Sequence, residues 1–143
     1  YQAYKNTMRL CIAGLTDHAA RLAAQGQEEQ LPTFRRLITD MAEFWGLTED
    51  DTPKGYREMT EQIGNTFDCA VSAARGFGQA PDLSAQTRQN VLDGLELYAQ
   101  EMRANDGEME DWALECDILA ESLKEQWQVE TDSAPPRLEG MSL

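Results

Sequence analysis

The sequence has little of the residue types that most often carry catalysis or disulfide chemistry. It contains one histidine and three cysteines (Cys11, Cys69 and Cys116), which are far apart and form no Cys-x-x-Cys pair. That spacing excludes a zinc ribbon and a thioredoxin-type redox motif. An odd number of separated cysteines is typical of reduced thiols, so the sequence predicts a cytoplasmic protein.

The single histidine, His18, follows Cys11 by seven residues on the same predicted helix. Seven residues span about 10 Å along a helix axis, which is too far for the direct hydrogen bond of a Cys–His dyad. A di-metal site in a helical bundle would need two Glu-x-x-His motifs, and one histidine cannot supply them. We therefore expect no enzyme activity, no metal and no cofactor, and we interpret His18 as a residue at the rim of the core.

Basic residues and long apolar runs are also scarce. Lys and Arg number 12 against 26 Asp and Glu, which gives a formal net charge of -14. A field of that sign repels nucleic acids and anionic membrane surfaces, and it attracts basic proteins. No apolar run approaches the roughly 20 residues of a membrane-spanning helix. The composition therefore predicts no direct binding to nucleic acid or membrane, and it leaves open whether a signal peptide precedes Tyr1.

What the sequence does contain is helical periodicity. Apolar residues recur three and four positions apart in five segments, and no segment alternates apolar and polar residues as a strand would. The predicted helices cover about residues 1–24, 31–46, 52–75, 83–104 and 105–128. A bundle buries such apolar stripes together. The predicted fold is therefore all-α, a single helical bundle of about five helices.

The composition changes after residue 128. Residues 129–143 contain two prolines and small polar residues without a periodic apolar pattern, which is typical of a flexible tail. We therefore divide the chain into a helical bundle domain, 1–128, and a flexible C-terminal tail, 129–143. Within the bundle, Gly64 lies inside the third predicted helix, and a glycine there predicts that a neighbouring helix crosses closely.

The last predicted helix has a strongly acidic outer face. Residues 105–130 contain nine acidic residues and a single basic one, Lys124. On a wheel of about 100° per residue, Trp112 and Cys116 belong to the apolar stripe, whereas Leu114 and Ile118 fall among the carboxylates. The candidate partner-binding residues are Asp111, Leu114, Glu115, Asp117, Ile118, Glu121 and Glu125.

Three interpretations of this face are open. The charges are only solvated, or Leu114 and Ile118 pack against another helix or a second subunit, or they anchor a partner. Aliphatic anchors ringed by carboxylates are typical of a surface that docks a basic protein. We therefore expect a small acidic protein that binds and neutralises a basic protein partner, as immunity proteins, antitoxins and phage-encoded inhibitors do. The alternatives are a secretion chaperone or assembly adaptor, a homodimer at this face, and a ligand-binding or enzymatic bundle.

Overall fold

The computed structural model describes residues 2–45, 53–104 and 110–133 of the chain. This part contains five α-helices and no strand: α1 (Gln2–Ala24), α2 (Leu31–Trp45), α3 (Pro53–Phe77), α4 (Ala85–Arg103) and α5 (Glu110–Ser133). The prediction of an all-α fold of about five helices is confirmed. The observed bounds of the first four helices lie within about two residues of those predicted.

Two glycines with positive φ end the first and third helices. Gly26 follows α1 with a φ of 76°, its N–H bonds the carbonyl of Ala23, and the N–H of Gln27 bonds that of Leu22. This pair of reversed bonds is a Schellman cap. Gly78 follows α3 with a φ of 68° and donates to the carbonyl of Ala74. A residue without Cβ adopts this conformation readily, so glycine sets both helix ends.

Local chemistry also sets the starts of α3 and α4. Pro53 is the first residue of α3, as predicted, because proline costs no hydrogen bond in the first turn. The hydroxyl of Ser84 accepts a hydrogen bond from the backbone N–H of Thr87 at 3.1 Å. Ser84 is therefore the N-cap of α4, which explains why that helix begins two residues later than its apolar stripe predicts.

The fifth helix is longer than its apolar stripe. α5 continues to Ser133, five residues past the predicted end at Gln128. No proline occurs until Pro135, and the residue before a proline disfavours helical backbone, so the sequence permits a helix up to this point. The rest of the predicted tail, 134–143, lies outside the described residues, and its flexibility stays a prediction.

The helices fall into two compact units, Tyr1–Tyr98 and Ala99–Leu143, so the boundary lies inside α4. In the first unit α1 packs against α2 and α3, and α2 packs against α3. The fully or almost fully buried side chains of this unit include Met8, Cys11, Leu15, Phe34, Leu37, Ile38, Met41, Val91, Leu95 and Tyr98. The division into a 1–128 domain and a tail stays a prediction.

Within the first unit, α1 and α4 cross at two glycines. A Cβ on Gly94 would overlap the side chain of Cys11, with the sulfur only 2.6 Å away. A Cβ on Gly14 would lie 2.5 Å from Cγ2 of Val91. Cys11 also donates a hydrogen bond from its thiol to the carbonyl of Val91 at 3.4 Å. Each helix therefore contributes one glycine that admits a side chain of the other, and the two backbones approach closely.

The predicted close approach at Gly64 is made by a side chain. Gly64 is buried, and a Cβ there would lie 2.7 Å from Nη2 of Arg35, which extends from α2. The same guanidinium donates two hydrogen bonds to Asp68, at 2.9 and 3.0 Å. The glycine thus leaves room for an arginine that joins α2 to α3 through a bidentate ion pair.

None of the helices in residues 2–45, 53–104 and 110–133 combines the length and apolar character that a bilayer span requires.

Candidate functional site

The buried stripe of α5 is rotated from the one that the wheel predicts. Ala113, Cys116, Leu123 and Trp127 are buried, whereas Trp112 is only half-buried. At about 100° per residue the centre of this stripe lies roughly 55° from Trp112, on the side of Ala113. The small Ala113 is fully buried, and the large indole of Trp112 lies at the margin of the stripe. This rotation places Ile118 almost directly opposite the buried stripe.

Leu114 and Ile118 are exposed, with 50% and 60% of their surface accessible. They lie four residues apart, so their side chains are neighbours one turn apart on the outer face of α5. The large apolar side chains that are exposed in the described part of the chain are Leu10, Phe77, Leu114 and Ile118. Leu114 and Ile118 are the adjacent pair among them, and internal packing does not explain their position.

One flank of this face carries carboxylates that are already paired. The guanidinium of Arg103, from the end of α4, bonds Glu110 through Nε at 3.1 Å and Asp117 through Nη2 at 2.6 Å. These hydrogen bonds, that to Asp117 foremost, hold the pKa of Arg103 above its ordinary value. The candidate residue Asp117 is therefore paired within the chain, and it offers a partner less charge than an unpaired carboxylate does.

The missed participant is Arg103, and the sequence carried a signal for it. Arg103, Glu110 and Asp117 are spaced by seven residues. The two acids lie two turns apart on one edge of α5, so a single guanidinium can reach both. Arg103 lies just before residues 105–130, so the charge balance of that segment does not include it.

The middle of this face and its opposite flank carry carboxylates without an ion pair. Asp111, Glu115 and Glu125 are exposed, and in the described part of the chain no basic side chain pairs with them. Glu121 lies beside Leu114, on the same flank as Asp117, and pairs with Lys124 at 3.2 Å. We call the seven residues Asp111, Leu114, Glu115, Asp117, Ile118, Glu121 and Glu125 the α5 face. The structure brings all seven onto the outer side of one helix, and the carboxylates without an ion pair lie at its middle and on one flank.

The cysteine and histidine residues offer no comparable arrangement. His18 is buried, with 4% of its surface exposed, and its ring packs edge-on against Phe34 at a centroid distance of 5.7 Å. It is thus a core residue rather than the rim residue predicted. Cys11 and Cys116 are buried free thiols, and Cys69 is an exposed free thiol on α3. Among the residues that the structure describes, no three His, Cys, Asp or Glu side chains could jointly hold a metal ion.

A groove of about 460 Å³ lies between α1 and α3, and sequence reasoning missed it. Helix α1 lines it with Arg9, Ile12, Ala13, Thr16 and Asp17. Helix α3 lines it with Gln62, Ile63 and Thr66. The hydroxyl of Thr16 donates to the carbonyl of Ile12 at 2.9 Å, so this hydroxyl satisfies the helix backbone. The lining contains neither a histidine nor a cysteine, and we assign it no nucleophile–base pair.

The chain matches no protein-family model, no curated protein and no solved structure.

Proposed function

We propose that this chain is a non-catalytic binding protein that docks a basic protein partner on the α5 face and neutralises it. The observation that carries the proposal is the exposure of Leu114 and Ile118, at 50% and 60%, amid carboxylates. Exposed aliphatic side chains of this size supply desolvation energy when a partner covers them. The surrounding carboxylates select the sign of the partner's charge.

The chemistry of the α5 face favours a basic partner over a second copy of this chain. A homodimer that buried Leu114 and Ile118 would bring the acidic faces of two copies together. Like charges at an interface cost free energy and slow association. A partner bearing Lys or Arg around an apolar patch would gain attraction from the same carboxylates. The net charge of -14 extends this attraction beyond contact distance.

The flanks of the face suggest how such a partner is oriented. Asp111, Glu115 and Glu125 are available to the partner's basic groups, whereas Arg103 already occupies Asp117. We therefore place the partner's strongest positive charge against the Asp111 and Glu115 side. The function proposed is that of an inhibitor or immunity-type protein in the cytoplasm; a secretion chaperone or assembly adaptor is the alternative.

The test uses capture with a matched pair of proteins. Wild type and a Leu114→Ala/Ile118→Ala double variant, shown to melt alike, are used to isolate proteins from the source cells. We expect a basic protein to be enriched by wild type and lost with the double variant. Loss of such hydrophobic anchors commonly costs more than about 1 kcal/mol of binding free energy, mainly through faster dissociation. Equal capture by both proteins would remove the α5 face from the proposal.

Association and dissociation rates with the purified partner then separate the contribution of the aliphatic anchors from that of the carboxylates. The variant Asp111→Asn/Glu115→Gln should slow association and weaken its dependence on salt, because exposed charges mostly steer encounter. The matched variant Asp117→Asn should change association far less, since Arg103 already pairs with that carboxylate. A captured enzyme that is inhibited supports the neutralising role, whereas a captured unfolded chain supports the chaperone. A shift from dimer to monomer in the Leu114→Ala/Ile118→Ala variant would support the homodimer instead.

A further inference from the structure

The groove between α1 and α3 has the size and lining of a small-molecule site. Its volume of about 460 Å³ is within the range that holds small ligands. Ile12, Ala13 and Ile63 supply apolar surface, and Gln62 and Thr66 supply exposed polar groups on the opposite wall. None of the residues that line the groove belongs to the α5 face.

Arg9 is the first sign of a ligand. The basic side chains that the structure describes are Lys5, Arg9, Arg21, Arg35, Arg36, Arg75, Arg88, Arg103 and Lys124. In this described set every member except Arg9 has an ion pair or another polar or electrostatic interaction. The chain has 26 acidic residues against 12 basic ones. Arg9, which has no such interaction in this described set, is therefore available for an anionic group from outside.

Asp17 is the second sign, at the other end of the α1 wall. No ion pair to Asp17 occurs in the described part of the chain, and partial burial raises its pKa above the ordinary value. Arg9, Ala13 and Asp17 are spaced by four residues, so they follow one another along one side of α1. The small side chain of Ala13 leaves space for a ligand between the two charges. Eight residues of helix separate the two charges by about 12 Å along the axis.

We propose that this groove binds a short zwitterionic peptide of about three apolar residues, its carboxylate on Arg9 and its ammonium on Asp17. An extended chain rises at most about 3.3–3.6 Å per residue, so three residues reach about 10–11 Å. A hydrogen bond of roughly 3 Å at each end closes the remaining distance to the two charged groups. The apolar side chains lie on Ile12, Ala13 and Ile63. The peptide's amide groups need hydrogen-bond partners once they leave water, and Gln62 and Thr66 provide them.

The pair of opposite charges discriminates against simpler ligands. Asp17 and the net charge of -14 would repel a simple anion, and Arg9 would repel a simple cation. A zwitterion has no net charge, so the protein's overall field does not repel it. Its two termini instead interact with one partner each, which fixes the direction in which the peptide lies.

The experiment is a thermodynamic cycle with the tripeptide Ala-Leu-Ala at pH 7, followed by calorimetry or amide chemical shifts. The analogues are the C-terminal amide and the N-acetyl form, and the protein variants are Arg9→Gln and Asp17→Asn. Loss of a charge-assisted hydrogen bond should weaken binding about tenfold for each single change. Amidation should then cost nothing further in the Arg9→Gln protein, nor acetylation in Asp17→Asn, because each pair of changes removes the same contact.

Control variants keep the outcome clear. Arg36→Gln removes an exposed arginine outside the groove and should leave the affinity unchanged. Ala13→Leu adds bulk between the two charges on an exposed position and should abolish binding without lowering the melting temperature. Absence of saturable binding to the folded wild-type protein at millimolar peptide overturns the proposal. Additive losses in both halves of the cycle overturn it as well, because they show that the termini do not contact Arg9 and Asp17.

Discussion

At the α1–α4 crossing two glycines face the side chains of the opposite helix, whereas on the α5 face two large aliphatic side chains face solvent. Gly94 meets Cys11 and Gly14 meets Val91, while Leu114 and Ile118 are half or more exposed. Close packing of the two helices requires residues as small as glycine at the crossing. Contact with water alone does not require large aliphatic side chains on the α5 face. Packing within the chain therefore accounts for the first region, whereas for the second we propose a partner.

The exposure of the α5 face is tested by making the same substitution at a buried and at an exposed position of α5. Leu123 is fully buried, whereas Leu114 is 50% exposed. Leu123→Ala should lower the free energy of unfolding by about 2–5 kcal/mol, because it leaves a cavity. Leu114→Ala should change it by no more than about 0.5 kcal/mol, as exposed substitutions do. Urea denaturation of both variants gives the two values. Similar losses would mean that Leu114 is packed and that the α5 face is not free.

The crossing is tested by adding a single methyl group to a glycine. Gly94→Ala places a Cβ against Cys11, and we expect a net loss of about 1–3 kcal/mol from overpacking in spite of alanine's better helix propensity. The matched control is Gly76→Ala in α3, where a Cβ would meet nothing within 4 Å. There the protein should gain up to about 1 kcal/mol. Thermal melts of the two variants should therefore shift in opposite directions; a stabilised Gly94→Ala protein would contradict the close crossing.

The smallest effect is expected from removing the ion pairs of Arg103 on the α5 face. Arg103→Gln removes the ion pairs to Glu110 and Asp117. Exposed ion pairs contribute little to stability, so the melting temperature should fall slightly at low salt and not at all at high salt. The change frees two carboxylates, so association with a basic partner should become faster. Slower association would mean that Arg103 supports the conformation that the partner binds.

The sequence predicts the helices well and their lateral contacts poorly. Apolar periodicity and local signals such as Gly26 and Pro53 act within a few residues, so the five helices and most of their ends follow from the chain alone. The order of the seven residues of the α5 face around the helix follows from the same periodicity. Whether Leu114 and Ile118 are covered depends on what packs beside α5, and only the structure gives their exposure.

The contacts that were missed join residues that lie on different helices. Arg103 reaches Asp117 across a helix connection, and the α1–α3 groove joins residues about fifty positions apart. Periodicity carries no information about which helix a given edge faces. The spacing of Arg9, Ala13 and Asp17, a small residue between two opposite charges, was nevertheless visible in the sequence. Such a pattern indicates a helix surface with a small residue between two charges. It does not identify α3 as the helix that forms the opposite wall of the groove.

The distribution of the three thiols has a practical consequence. Cys11 and Cys116 are buried and Cys69 is exposed on α3, so a maleimide dye should attach to the native chain at one position. Thiol reagents modify accessible sulfur far faster than buried sulfur. Cys69 belongs neither to the α5 face nor to the lining of the groove. The anisotropy of a fluorophore there could therefore follow capture of a large partner without altering either surface.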